Sequence, residues 1–413
     1  MKKEQALADL KHAGDSFLLF LKWTIISTLC GILIGLVGTA FSYSMSYVTN
    51  FRMAHPLIIF GLPLGGILIV FIYKLFKNEN DTGTNLVLSS IQSGEEVPLR
   101  MAPCIFLSTV ITHLFGGSAG REGAALQLGG SIGSSIGKLL HMIDNDRHII
   151  TMCGMSAAFS ALFGTPMTAA IFPMEVVSIG IMQYRALIPC VISSLTANQV
   201  AFALGLHAET FFFSDIPAFS WKTGGIISIL AACCALVSVL LCVSLHQATH
   251  IYQYIFKNTY LRIIAGGLIV IGLTLLVGHQ AYNGAGMNYI EEFFQESYVF
   301  PAAFLLKILF TACTLGAGFK GGEIVPTLYI GAAFGCLFGM VSGFSTNLCT
   351  AVGMAAVFCG VTNSPISSLL LSFELFGYHG MPYYLLAVAV SYTLSGYFGL
   401  YSSQHLYMTK WGK

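Results

Sequence analysis

The chain has 413 residues, of which 55% are hydrophobic and only 9% are charged, whereas soluble domains carry about 25% charged residues. With a mean hydropathy of +0.77, this composition indicates an integral membrane protein and excludes a soluble globular one. The formal net charge of +1 favours no nucleic-acid or acidic partner. The 11 cysteines are scattered and form no C-x-x-C pair, so we predict no metal site, no disulfide framework and no cofactor.

Apolar stretches follow one another along the chain. Residues 16–48 and 56–76 are each long enough to cross a bilayer, which needs about 20 residues. A polar interlude at 78–99 encloses residues 86–91, which we predict to be a half-helix beginning at an Asp-Thr-Gly cap. Later apolar stretches lie at 101–116, 124–140, 149–163, 166–181, 187–205, 222–246, 262–279, 298–316, 324–343, 347–361, 365–376 and 383–400.

The connections between these stretches are short. The most polar of them are predicted at 142–148, 207–216, 251–261 and 279–297, and we expect no soluble domain at either end. The pattern therefore predicts one all-α, polytopic membrane domain that occupies the whole chain.

One stretch interrupts this apolar background. Residues 116–126 hold the adjacent pair Arg121 and Glu122 among glycines, between two apolar segments that are too short to span comfortably. A charged residue at the centre of a membrane helix costs about 2.5–3.5 kcal/mol on insertion scales. Irregular backbone at membrane depth must be buried in protein or line a watery cavity. We interpret the stretch as a helix N-terminus aimed at an ion, with an ionisable side chain at its mouth.

The chain also carries an internal repeat. Gly154 and Gly353 each precede a proline by 12 residues, and each proline precedes a glutamate, Glu175 or Glu374, by 9. Upstream, the motif around Gly120 matches the motif around Gly322 at an offset of 202. Duplicated halves with broken helices are typical of transporters and channels, whose ion site lies where the repeats meet. We place the first repeat at about 20–205 and the second at about 220–405.

The motifs resemble those of the CLC family, which comprises dimeric anion channels and anion/proton antiporters. The resemblance rests on Gly120-Arg121-Glu122-Gly123, on Gly-Gly-x-x-x-Pro at 321–326 and on Leu-Tyr-Ser at 400–402, and it covers about residues 20–405. It implies a fold of two inverted-topology repeats with broken helices, in a homodimer with one pore per subunit. It also implies a multi-pass protein of the bacterial inner membrane, in contact with lipid.

Within that family the chain is more similar to the fluoride-transporting branch, CLC-F. Thr-His-Leu-Phe-Gly-Gly-Ser-Ala at 112–119 leads into the first motif, and Glu323 stands where chloride members usually carry an apolar residue. Three positions depart from the fluoride pattern: Thr84 replaces the usual Met, Val325 the usual Thr, and residues 86–89 lack the usual aromatic side chains. We therefore predict a fluoride/proton antiporter, with a chloride/proton antiporter or a chloride-selective channel as the alternative.

The anion site is predicted at three helix N-termini, because backbone N–H groups there supply partial positive charge without a mobile counter-charge. The residues assigned to it are Gly83, Thr84, Asn85, Gly120, Arg121, Gly123, Ile324 and Val325. By the resemblance, the Tyr401 hydroxyl completes the site as a neutral donor; by itself, Tyr401 reads as an interfacial aromatic residue. We expect Arg121 to bond nearby carbonyls rather than the ion.

Two carboxylates are assigned to gating and proton transfer. The Glu122 carboxylate can occupy the anion site and leave when it is protonated, which would couple anion entry to proton movement. The alternative for Glu122 is a helix-capping carboxylate. Glu323 is predicted to hold a proton or to help hold Glu122 in place, and the alternative is a first-turn carboxylate that offsets its helix dipole. Glu175 is interpreted as structural, and His113 as a satisfied buried histidine.

An enzyme is the alternative from another functional class. Gly116 to Gly120 formally match the G-x-S-x-G nucleophile elbow around Ser118. The elbow requires a preceding strand of a soluble sheet, which this chain cannot supply, and it explains neither Glu122 nor the repeat. We therefore predict a transport protein whose ligands are an inorganic anion, fluoride or chloride, and protons.

Overall fold

The computed structural model describes residues 2–79 and 81–410, with side chains from residue 14 onward, and these residues are almost entirely helical. The first half contains α1 (Lys2–Ala54), α2 (Leu62–Leu75), α3 (Thr84–Ser93), α4 (Met101–Leu114), α5 (Glu122–Leu139), α6 (Asp144–Phe163), α7 (Pro166–Val176) and α8 (Leu187–Ala203). The second half contains α9 (Trp221–Ile255), α10 (Thr259–Val277), α11 (Met287–Glu296), α12 (Ala303–Gly316), α13 (Ile324–Ser342), α14 (Thr346–Thr362), α15 (Pro365–Phe376) and α16 (Met381–Leu394).

Short elements complete the fold. Short 3-10 helices lie at Pro56–Gly61, Tyr184–Ala186 and Tyr378–Gly380. Two-residue strands, β1 (Ser178–Ile179) and β2 (His405–Leu406), pair in parallel and attach the C-terminal segment beside the end of α7.

The helices have two kinds of length. Within the described residues, six helical segments are long and apolar enough to cross a membrane, and the remaining apolar helices are shorter. This mixture is expected for a fold in which broken helices end at membrane depth, inside a ring of spanning helices. The fold is thus the all-α polytopic architecture that the sequence predicts.

The helix pairs of the first half recur in the second half. Helix α1 packs on α4, α6 and α8, just as α9 packs on α12, α14 and α16, and α5 packs on α6 as α13 does on α14. Every partner number increases by eight from one half to the other. We propose that the repeats have the boundaries expected from the sequence, about 20–205 and 220–405.

Two helix pairs at the centre lie in close backbone contact. A Cβ atom added at Gly129 would overlap the carbonyl oxygen of Gly154, and one added at Gly331 would overlap that of Gly353. Close approach through small residues is how helices associate in lipid, where apolar burial gives little driving force. The glycines that mark the repeat in the sequence therefore set the spacing of α5 with α6 and of α13 with α14.

Most predicted stretches correspond to helices, with several differences. The connections predicted at 142–148 and 251–261 are largely helical, because α6 begins at Asp144 and α9 continues to Ile255. The connection predicted at 279–297 contains α11, whose Ile290, Phe293 and Phe294 are buried against the core. The sequence predicts a loop there because the outward face of α11 is polar. The stretch at 166–181 ends as a helix at Val176, and α1 is longer than the predicted 16–48.

Gly129→Ala should destabilise the protein, because the new methyl group overlaps the backbone of α6. Overpacking of this kind typically costs about 1–3 kcal/mol. The measurement is the thermal unfolding midpoint of the detergent-solubilised protein. Gly272→Ala is the matched control, since a Cβ at that helical position meets open space. Equal midpoints for the two variants would contradict the close contact.

Candidate functional site

Two glycine loops meet at the centre of the molecule and pair with each other. The N–H of Gly120 donates to the carbonyl of Gly322, and the N–H of Gly322 donates to the carbonyl of Gly120, both at 2.7 Å. This reciprocal antiparallel pair is what a two-fold relation between the halves produces. Since α5 and α13 begin two residues after these glycines, the pair holds their N-termini side by side.

The third predicted helix start, residues 83–85, lies against the first turns of α5. Gln127 Nε2 donates to Thr84 Oγ1 at 3.2 Å, and Thr84 Oγ1 lies 3.5 Å from the carbonyl oxygen of Gly123. On its other side Gly123 abuts Glu323, because a Cβ at Gly123 would come within 2.8 Å of Glu323 Oε2. The structure thus brings the three predicted helix starts together around Gly123.

These helix starts present free backbone donors. The N–H groups of Thr84, Asn85, Gly123, Ile324 and Val325 donate to no acceptor among the described residues. The first N–H groups of a helix have no intrahelical acceptor, and all five residues belong to first turns. Such groups attract anions, because each helix terminus behaves like about half a positive charge.

Two predicted donors are not free. The N–H of Gly83 donates to Asp81 Oδ1 at 2.8 Å, and the N–H of Gly120 donates to the carbonyl of Gly322. The prediction that these two N–H groups bind the anion is therefore wrong.

Tyr401 is buried, and its hydroxyl has no partner among residues 14–79 and 81–410. Asn85 positions the segment that carries it, because the N–H of Ser403 donates to Asn85 Oδ1 at 3.1 Å. The side chain of Asn85 therefore has a structural contact, while its backbone N–H remains free.

The Glu122 carboxylate lies at the beginning of α5 and is 1% exposed. Its Oε2 accepts from the backbone N–H of Arg121 at 3.0 Å, and its Oε1 lies 3.2 Å from Arg121 Nε. A carboxylate held by backbone and guanidinium donors at a helix N-terminus occupies the kind of position that an inorganic anion takes.

Arg121 bridges two carboxylates. Besides Glu122, it reaches Glu209 Oε1 at 2.9 Å and Ser42 Oγ at 3.4 Å. The expectation that Arg121 bonds nearby carbonyls is wrong, because its partners in the described chain are carboxylates and a hydroxyl. Sequence reasoning missed Glu209, since it lies in a connection with no motif and meets Arg121 only in the folded chain.

Glu323 precedes α13 at the N-cap position. Its Oε2 is buried and has no hydrogen-bond partner within the described residues. An unpaired buried carboxylate oxygen is costly. This free oxygen lies beside Gly123, where the three helix starts meet.

A cavity of about 760 Å³ leads to Glu122 from one face of the protein. Its inner wall includes Arg121, Glu122, Glu209 and Val325, and Arg52 and His113 also line it. The gating carboxylate predicted from the sequence thus lies between this cavity and the meeting point of the helix starts.

Glu175 and Glu374 cap each other's helices across the two halves. The Glu175 carboxylate accepts from the N–H groups of Ile366 and Ser367 at 2.9 and 2.8 Å, at the start of α15. Glu374 accepts from the N–H groups of Met167 and Thr168 at 2.7 and 2.9 Å, at the start of α7. Each glutamate thus satisfies first-turn donors of the other half.

The serine of the G-x-S-x-G match is engaged elsewhere. Ser118 is fully buried, its Oγ lies 3.0 Å from Thr311 Oγ1, and its N–H donates to Thr314 Oγ1 at 3.0 Å. The nearby His113 directs its Nδ1 to the Thr109 carbonyl at 3.0 Å, but its Nε2 has no partner in the described chain, so the prediction of a satisfied histidine is wrong for this atom. These contacts anchor the glycine loop to α12 and do not form a nucleophile with its base.

Comparison with known proteins gives a consistent result. The sequence profile of the family described as "Voltage gated chloride channel" matches residues 65–396. A protein of Pseudomonas syringae pv. tomato, named "Chloride/fluoride channel protein", is 34% identical over 393 residues, which cover 93% of this chain and 86% of the relative.

Two solved structures resemble the fold. One, described as a CLC-type fluoride/proton antiporter, has a TM-score of 0.90 and 30% identity, and the match covers 94% of this chain and 98% of the other. A slow cyanobacterial Cl−/H+ antiporter has a TM-score of 0.79 at 17% identity, over 90% of this chain and 94% of the other. The second likeness concerns the fold alone.

Glu175→Ala should lower the thermal unfolding midpoint in detergent, because the first turn of α15 loses its carboxylate acceptor. Loss of a helix cap costs about 0.5–2 kcal/mol. Glu374→Ala should have a similar effect through α7, whereas the exposed Glu95→Ala serves as the control. A midpoint unchanged in both cap variants would contradict reciprocal capping.

Proposed function

This chain belongs to the voltage-gated chloride channel (CLC) family, and we propose that it is a membrane antiporter that exports fluoride in exchange for protons. The family consists of transport proteins rather than enzymes. The observation that carries the proposal is the Glu122 carboxylate, held where free helix N-termini converge. The similarity to a fluoride/proton antiporter along almost the whole chain supports it as well.

Free backbone N–H groups suit an anion that accepts strong hydrogen bonds. In water, fluoride is tightly held by donors, and a site that removes this water must replace those bonds. The first turns of α3, α5 and α13 offer such donors without a paired counter-charge, and the Tyr401 hydroxyl adds a neutral one. Buried donors with no acceptor are costly to leave empty, so a transported anion would satisfy them.

Glu122 would couple the anion to the proton. In its charged form the carboxylate is held by the donors of Arg121 and blocks the route between the cavity and the helix starts. Protonation removes the charge that these donors bind, so the side chain can leave and an anion can take its place. One group then gates the anion and carries the proton, and neither ion passes without it.

Glu323 would supply the second carboxylate of the exchange. It faces Gly123, directly after the gate residue, and its free Oε2 can accept a hydrogen bond from a protonated Glu122 or hold a proton itself. Chloride members of the family usually carry an apolar residue here. This position is our main reason for preferring fluoride.

Chloride transport on the same fold remains the second candidate. The observation in its favour is Thr84 at the start of α3, which lies against Gly123 where fluoride members usually place a methionine. We also retain the homodimer as a proposal drawn from the family resemblance. The molar mass of the detergent-solubilised protein, measured by light scattering, tests it.

Glu122→Gln should abolish the coupling, because glutamine cannot exchange a proton. The measurement is efflux of fluoride and of chloride from reconstituted liposomes, with proton movement recorded at the same time. We expect wild-type fluoride flux far above chloride flux, with protons moving in the opposite direction, and no proton movement in the variant. The exposed Glu96→Gln is the control. Chloride flux as fast as fluoride flux would contradict the fluoride proposal.

Tyr401→Phe should weaken anion binding by roughly three- to tenfold, the usual worth of one hydrogen bond. The matched control is Tyr384→Phe, because both hydroxyls are buried without a partner in the described chain but Tyr384 packs against Gly380, away from the helix starts. The measurement is the fluoride concentration that gives half-maximal flux. Equal shifts in both variants would contradict a direct role for Tyr401.

A further inference from the structure

Arg52 is an unpaired cation in the wall of the cavity. It lies near the end of α1, is 6% exposed, and lines the same cavity as Glu122. Its Nε is buried without an acceptor. Across residues 14–79 and 81–410, the guanidinium has neither a hydrogen bond nor a carboxylate within salt-bridge distance. A buried charge is normally paired, so this one calls for an explanation.

The carboxylates of the cavity do not provide the missing partner. Glu122 and Glu209 both pair with Arg121. Glu292 also lines the cavity, but its side chain is exposed at the rim. Arg52 is therefore the cavity cation that no carboxylate pairs with in the described chain, while Arg121 is shared by two.

A second buried basic side chain, Lys307, contacts the loop that contains Gly284. A Cβ at Gly284 would come within 2.8 Å of Arg52 Nη2, while the carbonyl of Gly284 accepts from Lys307 Nζ at 2.7 Å. Lys307 is fully buried, and its other acceptor is the carbonyl of Tyr282 at 3.1 Å. Two basic side chains thus flank one loop, and Lys307, unlike Arg52, is compensated by two carbonyls and by the Tyr329 ring, whose centroid lies 5.2 Å from its Nζ.

The position of Arg52 is set by glycines of both halves. Its side chain lies against Gly116 and Gly284, both with φ in the left-handed region, at +83° and +64°. These two loops are joined by the Asn283 side-chain amide, which donates to the carbonyl of Gly116 at 2.8 Å. The guanidinium is therefore held at the seam between the halves, on the cavity side of the gate.

A second polar atom in this wall also lacks a partner. His113 is 2% exposed and lines the cavity, and its Nε2 is buried with no hydrogen bond in the described chain. Because Nδ1 faces the Thr109 carbonyl, Nδ1 carries the ring proton. The Nε2 of the neutral ring is then free to accept a hydrogen bond from a solute.

We propose that Arg52 forms a second anion site in this cavity, where a small inorganic anion binds before Glu122 leaves the inner site. The inference rests on the proposed function for the identity of the anion as fluoride. Water can satisfy the N–H groups of Arg52, but only an anion compensates its charge. A fixed cation in a cleft also raises the local concentration of anions, so Arg52 would increase the concentration of anions next to Glu122.

Equilibrium titration with sodium fluoride tests the site without any transport. Glu122→Gln protein, whose inner site is no longer filled by a carboxylate, should bind one more fluoride ion per subunit than the double variant Glu122→Gln/Arg52→Gln. The control pair is Glu122→Gln/Arg185→Gln, because Arg185 is exposed and remote from the cavity lining. Equal stoichiometry with and without Arg52 overturns the proposal.

Flux provides a second readout. In the background of wild-type Glu122, Arg52→Gln should raise the fluoride concentration for half-maximal flux by about tenfold, as expected for one charge-assisted hydrogen bond, with the proton-to-fluoride ratio unchanged. If Arg52→Gln does not purify as a single species, Arg52→Lys replaces it; it keeps the charge but loses the planar fork, and should show a smaller shift. No shift in the folded variant overturns the site.

The experiments distinguish failure of the fluoride proposal from failure of the Arg52 site. If wild-type protein carries chloride as fast as fluoride, the fluoride proposal fails, and the same titrations are made with sodium chloride. An Arg52-dependent chloride ion then supports the second site, whereas chloride binding independent of Arg52 overturns it.

Discussion

The structure depends on one constraint: backbone that ends a helix inside a bilayer must find its hydrogen bonds within the protein. The chain meets this constraint with pairs of equivalent residues. The loops before α5 and α13 satisfy each other through Gly120 and Gly322. The helices α7 and α15 are capped by each other's glutamates, Glu374 and Glu175. What these contacts leave free is a small set of donors on the first turns of α3, α5 and α13.

The duplication explains where the two halves of the chain bond to each other. Two equivalent residues that face each other across a two-fold axis can each donate a hydrogen bond to the other. A motif that occurs twice in the chain can therefore form a reciprocal pair of hydrogen bonds. The close contacts of Gly129 with Gly154 and of Gly331 with Gly353 lie within the halves and occur once in each. The anion site then arises where the pairing stops, because the N–H groups of Thr84 and Asn85 at the start of α3 have no acceptor in the described chain.

The charges are arranged in sequence along the route. Arg52 lies unpaired in the cavity, Arg121 lies farther in and holds both Glu209 and Glu122, and Glu323 lies beyond them with a free oxygen. Arg52 and Arg121 thus lie on the cavity side of the gate, although Glu209 and Glu292 line the cavity too. A guanidinium beside the gate can attract an anion, which passes only after the gating carboxylate has lost its charge.

The sequence by itself determined the membrane class, most helix positions, the repeat and the motifs around Glu122, Glu323 and Tyr401, because these depend on composition and on spacing along the chain. Only the tertiary structure decided which side chains meet across long separations. Glu209 pairs with Arg121 from a featureless connection, Asn85 holds the segment of Tyr401, and Arg52 faces the cavity without a partner. Helix α11 was also missed, since its apolar stripe is narrow and needs the core to bury it. Periodicity reports what a segment can form, whereas contacts between distant segments depend on how the two halves close upon each other.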